Sequence, residues 1–343
     1  MRLKTTVISV ALSALSVGGA MAQQVVDVHC HNIMPDFTNS LDAHDAALDE
    51  TFPLPEWNVE SHLAFMDSAG IRISVLSMPA PQPYFGNADE CRDIIRRYNE
   101  QTAAICREHP ERFKFVAALP LPDVRLSIEE VAYAFDTLGA VGVKLATNSR
   151  GQYLGDAELE PLMQVLNKHK AVVIIHPHKP VPVNDNIIAT APLAVYEYPA
   201  ETTRTIINLI ARNVPARYPD IKWIVPHCGS FLPMAIPRMK AVLPVMVAKG
   251  LMQPVDFEAN LARFYYDLAG APSAEAIESM LTITTPDHIM YGSDYPYQPA
   301  AALVSGMHRL EQMLSNNRHL SQYKSLFLTE NAVKIFNLQE NEK

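Results

Sequence analysis

The chain has 343 residues, with 37 acidic and 28 basic side chains and a formal net charge of −9 at pH 7. No long basic run or basic face interrupts this acidity, which argues against nucleic acid as a partner. The length allows one large barrel domain or two smaller ones.

The first 22 residues have the organisation of a secretory signal peptide. Arg2 and Lys4 give a positive start, an apolar stretch follows, and Ala20-Met21-Ala22 offers the small-x-small pattern of a cleavage site. The apolar stretch is shorter than the roughly 20 residues that span a bilayer, and no second segment approaches that length. We therefore expect a signal peptide over 1–22, a periplasmic or secreted protein, and no membrane partner after cleavage.

Residues 23–343 alternate short apolar, β-branched runs with longer amphipathic stretches, and no composition shift marks a second domain. The predicted strands are Val25–His29, Ile71–Leu76, Phe113–Leu119, Val141–Leu145, Ala171–His176, Ile221–His227, Phe264–Leu268 and Ile289–Asp294. The predicted helices include Asn58–Ala69, Ala88–Glu108, Ser127–Leu138, Asp156–His169 and Glu201–Asn213. Eight strands alternating with helices predict a single (β/α)8 TIM-barrel domain.

A doubly wound open sheet is the main alternative to the barrel. Such a sheet would usually open with a glycine-rich turn after its first strand, where this chain has His29-Cys30-His31. The proline-rich segments Pro79–Pro83 and Pro177–Pro199 are expected to be loops after strands 2 and 5. In a barrel those loops stand on the catalytic face and shape the substrate pocket.

The first strand carries two histidines one step apart. Because side chains alternate between the faces of a strand, His29 and His31 are expected to point into the barrel together with Asp27. The apolar face expected to pack on the helices consists of Val26, Val28 and Cys30. Two imidazoles in this arrangement can chelate one ion, although a His-x-His pair alone is weak evidence.

Further candidate ligands end three later strands: His176 ends strand 5, His227 strand 6, and Asp294 strand 8. Barrel enzymes assemble their sites at these carboxyl-terminal strand ends. Histidine nitrogens with one carboxylate oxygen suit zinc and leave a position open for water or substrate. The pattern therefore favours one metal site over unrelated core histidines. His178 is the second choice as a ligand, because Pro177 is expected to end strand 5.

Six motifs run through nearly the whole chain after residue 22. They are Asp27–His31, Met66–Gly70, His176-Pro177, Tyr198–Thr203, Pro226–Gly229 and Gly292–Pro296. Together they resemble the amidohydrolase superfamily, and within it the branch of aminocarboxymuconate-semialdehyde decarboxylase and related nonoxidative aromatic-acid decarboxylases. The region Trp57–Leu76 is most similar to the 6-methylsalicylate decarboxylase type.

This resemblance implies one divalent ion per chain, zinc, with four ligands. The implied ligands are His29, His31, His176 and Asp294. It also implies that His227 is catalytic, acting on bound substrate or metal-bound water without being a tight ligand. For Asp294 a second, catalytic role, in orienting water or relaying the proton, stays open.

The resemblance also bears on substrate binding and assembly. Arg238 matches an arginine that in the family helps to hold the substrate carboxylate across a homodimer interface, although a solvated surface arginine is an equal alternative. Where the aminocarboxymuconate enzyme has a second substrate-binding arginine, this chain has His62. That departure favours a different acid as substrate.

The leading hypothesis is a zinc-dependent carbon–carbon lyase that decarboxylates a small aromatic or unsaturated carboxylic acid. Loss of CO2 leaves negative charge on carbon, which a divalent ion can stabilise and an imidazole can protonate. The alternative is a metal-dependent hydrolase of a lactone, ester or amide, because the same ligands can polarise a carbonyl and supply hydroxide. A third alternative is a binding module on an inactive barrel, but every expected site residue is retained.

Lys144 makes the number of metal ions an open question. By alternation it is expected to point into the barrel, where a cation without a partner is costly. It either pairs with Asp27 or a substrate carboxylate, or, as in some members of the superfamily, is carboxylated and bridges two ions. We favour the first role, and with it a single ion.

Overall fold

The computed structural model describes residues 24–183, 191–270 and 272–338. Eight parallel strands follow one another around a barrel in sequence order, which confirms the predicted TIM-barrel fold. They are β1 Val25–His31, β2 Ile71–Ser77, β3 Phe113–Ala118, β4 Gly142–Ala146, β5 Val172–His176, β6 Lys222–Val225, β7 Phe264–Asp267 and β8 Ile289–Met290. The signal peptide expected over 1–22 lies outside the described residues. Among those that are described, no helix is long and apolar enough to span a bilayer.

Helices cover the outside of the barrel. They are α1 Pro35–Ala43, α2 Val59–Ala69, α3 Ala88–Glu108, α4 Val124–Tyr133, α5 Glu160–Lys168, α6 Leu193–Ala211, α7 Val214–Arg217, α8 Leu232–Ala248, α9 Phe257–Leu261, α10 Ala274–Met280, α11 Ala300–Asn316 and α12 Asn331–Phe336. Side-chain caps fix several of their first turns. The side chain of Asn58, the residue before α2, accepts a hydrogen bond from the backbone N–H of Ser61. The side chain of Asp123, the residue before α4, accepts one from the backbone N–H of Leu126.

The segment that follows β8 closes the barrel against β1. The backbone N–H of Val28 donates to the Tyr291 carbonyl (3.0 Å), and that of His31 donates to the Tyr295 carbonyl (2.7 Å). The Asp294 N–H in turn donates to the His29 carbonyl (2.8 Å). This pairing places His29 and His31 of β1 beside Asp294.

Two apolar layers make up most of the core, and a third cluster packs around α1 and α3. The larger layer lies between the strands and the surrounding helices. The smaller one fills the barrel interior with residues from six strands and is completed by α12. Its members include Val26, Val28, Ile73, Val75, Val116, Ile174, Ile224 and Met290 from the strands, and Ala332, Ile335 and Phe336 from α12. The amino-terminal end of the barrel is therefore filled, and the site lies at the opposite end.

The expected alternation along β1 is wrong in one respect. Val26 and Val28 lie in the interior layer instead of packing on the helices, whereas Cys30 lies in the outer layer as expected. The pairing of β1 with β2 shifts register between Asp27 and Cys30. A bulge of this kind inserts one extra residue into the strand, so the side chains after it point to the opposite faces from those that simple alternation predicts. His29 and His31 therefore still reach the interior.

The segment expected to be a loop over Pro177–Pro199 is helical in its last part. α6 begins at Leu193, eight residues before the predicted start at Glu201, and Pro199 lies inside it. Proline usually ends a helix because it lacks the N–H group, and this tendency produced the wrong boundary. The early start of α6 brings its first turns to the rim of the site.

Candidate metal centre

The structure brings the four proposed ligands together at the carboxyl-terminal end of the barrel. One side-chain ligand atom from each of them lies within 4.8 Å of the other three. The residues are His29 and His31 of β1, His176 of β5, and Asp294 after β8. His178, the second choice, is not part of this group.

His29 is oriented by a buried carboxylate. Its Nδ1 atom donates to the Oδ2 atom of Asp267 (2.8 Å), and both side chains are almost wholly buried. The Nε2 atom of His29 is buried, has no hydrogen-bond partner in the described structure, and lies 3.4 Å from Asp294 Oδ1. A carboxylate behind a histidine in this way fixes the ring tautomer that a metal ion needs.

The other two histidines are held in the same orientation by different acceptors. The Nδ1 atom of His31 donates to the Ser77 hydroxyl oxygen (3.1 Å), whose own proton goes to the Cys30 carbonyl (3.0 Å). The Nδ1 atom of His176 donates to the Pro177 carbonyl (3.0 Å). All three rings therefore direct Nε2 toward a common centre, the orientation in which imidazole binds a metal ion.

The protonation states of these groups fit a cation site. Burial lowers the pKa of His31 to about 4 and that of His176 well below its usual range, so both rings stay neutral. Burial alone would raise the pKa of Asp294, but the imidazoles of His227, His29 and His31 around its carboxylate outweigh that effect and hold the pKa well below its usual range. Neutral imidazoles and an ionised carboxylate are the forms that bind a divalent metal.

His29 differs in its protonation from the other two rings. Burial alone would lower its pKa, but the charges of Asp267 and Asp294 outweigh that effect and raise it to about 10. The same two carboxylates attract a metal cation, which competes with the proton for the Nε2 atom. The donor set therefore fits one divalent ion.

His227 stands beside the four ligands. It follows the end of β6 instead of ending that strand as expected, and its Nε2 atom lies 3.6 Å from Asp294 Oδ2. The backbone N–H of His227 donates to Asp267 Oδ1 (3.0 Å). His227 and Asp294 both have positive φ, 56° and 60°, a conformation uncommon outside glycine. Such backbone strain concentrates at functional sites.

A cavity of about 760 Å³ opens above this cluster. His176, His227 and Asp294 lie at its floor, next to Tyr198 and Tyr297. Its outer wall consists of apolar side chains, and among the described residues neither lysine nor arginine lines it. The wall residues are Phe52, Pro53, Pro55, Pro192, Ala194, Val195 and Pro199. A largely apolar pocket with a few converging polar groups is typical of a small-molecule site.

A buried carboxylate fixes one side of this wall. Glu50 Oε2 accepts hydrogen bonds from the Tyr198 hydroxyl (2.8 Å) and from the backbone N–H of Lys179 (3.0 Å). The Phe52 ring, two residues along, packs edge-on against Tyr297 with ring centroids 5.7 Å apart. Burial raises the pKa of Glu50 to about 7. Glu50 thus ties the loop before α2 to the first turns of α6.

Lys144 points into the barrel as expected, but its electrostatic partner is not Asp27. Burial lowers the pKa of Lys144 to about 8, and the charge of Glu50 partly opposes that shift. Asp27 instead accepts hydrogen bonds from the Ser293 hydroxyl (2.5 Å) and the Ser293 backbone N–H (3.0 Å). The bulge in β1 turns Asp27 toward the segment after β8, away from β4.

The remaining sequence candidates lie away from the cavity. Arg238 is exposed on α8 and does not line it. His62 is fully buried, where its Nδ1 accepts a hydrogen bond from Trp57 Nε1 (3.0 Å), and its ring packs against Phe113 and Tyr295. His62 is therefore a packing residue of the outer layer.

The family model described as amidohydrolase matches residues 26–338, which include every residue of the cluster. The chain belongs to the amidohydrolase family. This agrees with the resemblance read from the six motifs and confirms the family prediction.

Curated relatives of this amidohydrolase are named as decarboxylases. A decarboxylase of Penicillium terrestre is 33% identical over 309 residues, which cover 84% of this chain and 89% of that protein. A 6-methylsalicylic acid decarboxylase of Penicillium expansum is 30% identical over 291 residues, covering 83% and 89%. Both agree with the decarboxylase branch that the motifs resemble.

Solved structures share the fold of this amidohydrolase. A crystal structure of 5-carboxyvanillate decarboxylase from Novosphingobium aromaticivorans, complexed with manganese and a nitrobenzoic acid, superimposes with a TM-score of 0.79. The identity is 22%, and the match covers 94% of this chain and 98% of that one. At this identity the likeness establishes the fold.

Sequence reasoning missed several residues that shape the amidohydrolase site, chiefly Asp267, Ser77 and Glu50. Asp267 carries the same signal that identified Asp294, a carboxylate at the carboxyl end of a barrel strand. Ser77 likewise ends β2 beside His31. Glu50 lies in an irregular loop, and only the folded structure shows that its side chain is buried.

Proposed function

We propose that this chain is a metal-dependent nonoxidative decarboxylase of a small aromatic or unsaturated carboxylic acid. The observation that carries the proposal is the position of His227 and Asp294, 3.6 Å apart, beside a four-ligand cluster at the floor of an apolar cavity. The relatives named as decarboxylases favour this reaction over hydrolysis of a lactone, ester or amide.

The chemistry assigns each group a task. When bound, a divalent ion would stabilise the negative charge that develops on the substrate as CO2 leaves. The bond between ring carbon and carboxyl carbon breaks, and its electron pair stays on the ring carbon. His227 faces the cavity and delivers a proton to that carbon, which imidazole can do near neutral pH. Asp294 holds the His227 ring in place, and the apolar wall excludes water.

The test is a panel of aromatic carboxylic acids incubated with metal-loaded protein while CO2 release is followed. We expect CO2 from at least one hydroxybenzoic acid and none from the metal-stripped protein. Lactones and esters form the comparison arm. Turnover of those compounds without CO2 from any acid would contradict the decarboxylase proposal in favour of the hydrolase.

We propose one zinc ion per chain as the native metal. Three imidazole nitrogens and one carboxylate oxygen suit zinc, while manganese, found in a protein of the same fold, is the competing candidate. Metal analysis of protein purified without added metal would decide between them. Lys144→Met should still contain one ion per chain. Two ions, or a carboxylated Lys144 in the mass spectrum, would contradict this assignment.

We propose a homodimer in which Arg238 of one chain reaches the cavity of the other. Arg238 is exposed on α8, and the same helix begins beside the exposed side chains of Phe231 and Met234. Tyr196 of α6 lies against Phe231, with ring centroids 5.8 Å apart. Exposed apolar patches of this kind mark interaction surfaces. Light scattering and the KM of Arg238→Ala test the proposal, and a monomer with full activity would refute it.

We also propose that the protein is exported and begins at Gln23 after cleavage. The support is the charged start, the apolar stretch and the Ala20-Met21-Ala22 site in the sequence. Intact-mass analysis of the protein from its native host is the test. A mass that includes residues 1–22 would disprove cleavage.

A further inference from the structure

The cavity above the metal ligands has two chemically distinct parts. The floor contains its imidazoles and its carboxylate, on His176, His227 and Asp294. The outer wall is built from phenyl, proline, alanine and valine side chains of two separate segments, residues 52–55 and 192–199. Among the described residues, no lysine, arginine, glutamate or asparagine side chain lines that wall. A second charged group on a ligand would therefore find no partner among the described residues of that wall.

The wall also presents apolar surface to solvent when the cavity is empty. Val195 is 66% exposed although it lines the cavity. Both wall segments are tied together through Glu50, which accepts hydrogen bonds from Tyr198 and Lys179. The apolar surface is thus held in place before a ligand arrives, and a ligand that covers it gains free energy in proportion to the area removed from water.

The size of the cavity exceeds what one benzoate ring requires. About 760 Å³ falls within the range of roughly 300–1,000 Å³ that accommodates drug-sized ligands. A benzoate whose carboxylate lies at the metal ligands fills only part of this volume. That remaining space is bounded by the apolar wall.

We infer that the preferred substrate is an aromatic monocarboxylic acid with an extended apolar substituent, such as an alkyl chain of several carbons, and no second charged group. The inference rests on the proposed decarboxylase function and adds the substrate class. The carboxylate occupies the floor, and the substituent covers Phe52 and Val195.

A homologous series tests this inference. The compounds are 2-hydroxybenzoic acids with hydrogen, methyl, propyl, pentyl or carboxyl at carbon 6. We expect kcat/KM to rise about fourfold for each methylene that the wall covers, and hence at least tenfold from methyl to pentyl. The dicarboxylic acid should fall at least tenfold below the methyl compound. A flat or falling trend with chain length, or preference for the dicarboxylic acid, would overturn the inference.

A pair of variants links this preference to the wall. Val195→Asp should reduce the pentyl-to-methyl ratio of kcat/KM at least fivefold, because the new carboxylate faces the alkyl substituent of the substrate. Leu251→Asp makes the same type of change at a residue that is 69% exposed and does not line the cavity, and it should leave the ratio unchanged. Equal ratios in the two variants would contradict the assignment of the wall.

Calorimetry separates this inference from the proposed function. Affinities of the metal-loaded protein for the same acids require no turnover. If no acid releases CO2 but affinity rises with chain length, the decarboxylase proposal fails while the preference for apolar acids stands. If CO2 is released and affinity does not rise with chain length, only the preference is refuted.

Discussion

The Nδ1 atom of His29 lies 2.8 Å from Oδ2 of Asp267, so a carboxylate at the end of β7 orients a proposed metal ligand of β1. Oδ1 of the same carboxylate accepts hydrogen bonds from the backbone N–H groups of His227 and Ala269, both at 3.0 Å. Asp267 therefore positions a ligand and the proposed proton donor at once. It touches neither the metal position nor the cavity.

Asp267→Asn is expected to weaken metal binding about 10- to 100-fold. The amide nitrogen facing His29 donates instead of accepting, which disfavours the tautomer whose Nε2 lone pair binds metal. Competition titration with a chromogenic chelator measures the change. Asp93→Asn, at an exposed position on α3, is the control and should bind metal like the wild type. Equal affinities in the two variants would contradict the role of Asp267.

His227→Ala should keep its metal and lose turnover by about 10²-fold or more, the usual cost of a missing proton-transfer group. His176→Ala should lose the metal itself, because it removes one of the four clustered ligand atoms. Metal content and CO2 release are measured on the same preparations. A metal-free His227→Ala protein would show that His227 is a ligand.

Glu50→Gln should be more stable than the wild type, by an amount that increases as the pH rises. Burial raises the pKa of Glu50 to about 7 from the 4.5 of an exposed glutamate, so between these pH values the folded state holds a proton that the unfolded state has lost. Wild-type stability therefore falls with rising pH in this window. Glutamine keeps an acceptor for Tyr198 and Lys179 and has no proton to lose.

The expected gain of Glu50→Gln over wild type is about 3 kcal/mol between pH 4.5 and pH 7.5. Urea unfolding at a series of pH values measures it. Glu56→Gln, on an exposed residue of the same loop, is the control and should track the wild type. If the difference in unfolding free energy between Glu50→Gln and wild type does not change with pH, Glu50 is ionised in the folded protein over this whole pH range.

Gly292→Ala should disturb the metal centre through the backbone. A Cβ atom at this position would lie 2.7 Å from Cβ of His29, which cannot move without shifting β1. We expect a loss of about 1–3 kcal/mol in stability, with weaker metal binding. Gly306→Ala in α11 has no neighbour closer than 3.8 Å and should gain up to about 1 kcal/mol. Thermal unfolding and metal titration compare the two.

The barrel and the ligand cluster could be predicted because both depend on short-range patterns. Apolar β-branched runs recur at regular spacing, and the positions of His29, His176 and Asp294 at strand ends are visible in the sequence itself. Strand limits were less accurate, since His227 lies beyond β6 in a left-handed conformation that no periodicity signals.

Interactions between distant segments could not be predicted. The bulge that turns Val26 and Val28 into the barrel depends on pairing with β2 and leaves no mark in the alternation of β1 itself. The charge that raises the pKa of buried Lys144 against the effect of burial is that of Glu50, from a loop nearly one hundred residues earlier, and not that of Asp27. The alignment showed only that His62 replaces a substrate-binding arginine, whereas the structure shows that its ring packs against Phe113 and accepts a hydrogen bond from Trp57.

The α12 helix gives the protein a particular order of assembly. Ile335 and Phe336 fill the same interior layer as Val26 and Val28, so the first strand cannot complete its core until the last helix is present. During synthesis the nascent chain therefore exposes the unfilled amino-terminal end of the barrel until α12 has left the ribosome. Chaperone contacts should concentrate on this late stage, and loss of the residues from 331 onward should unfold the whole barrel instead of fraying one end.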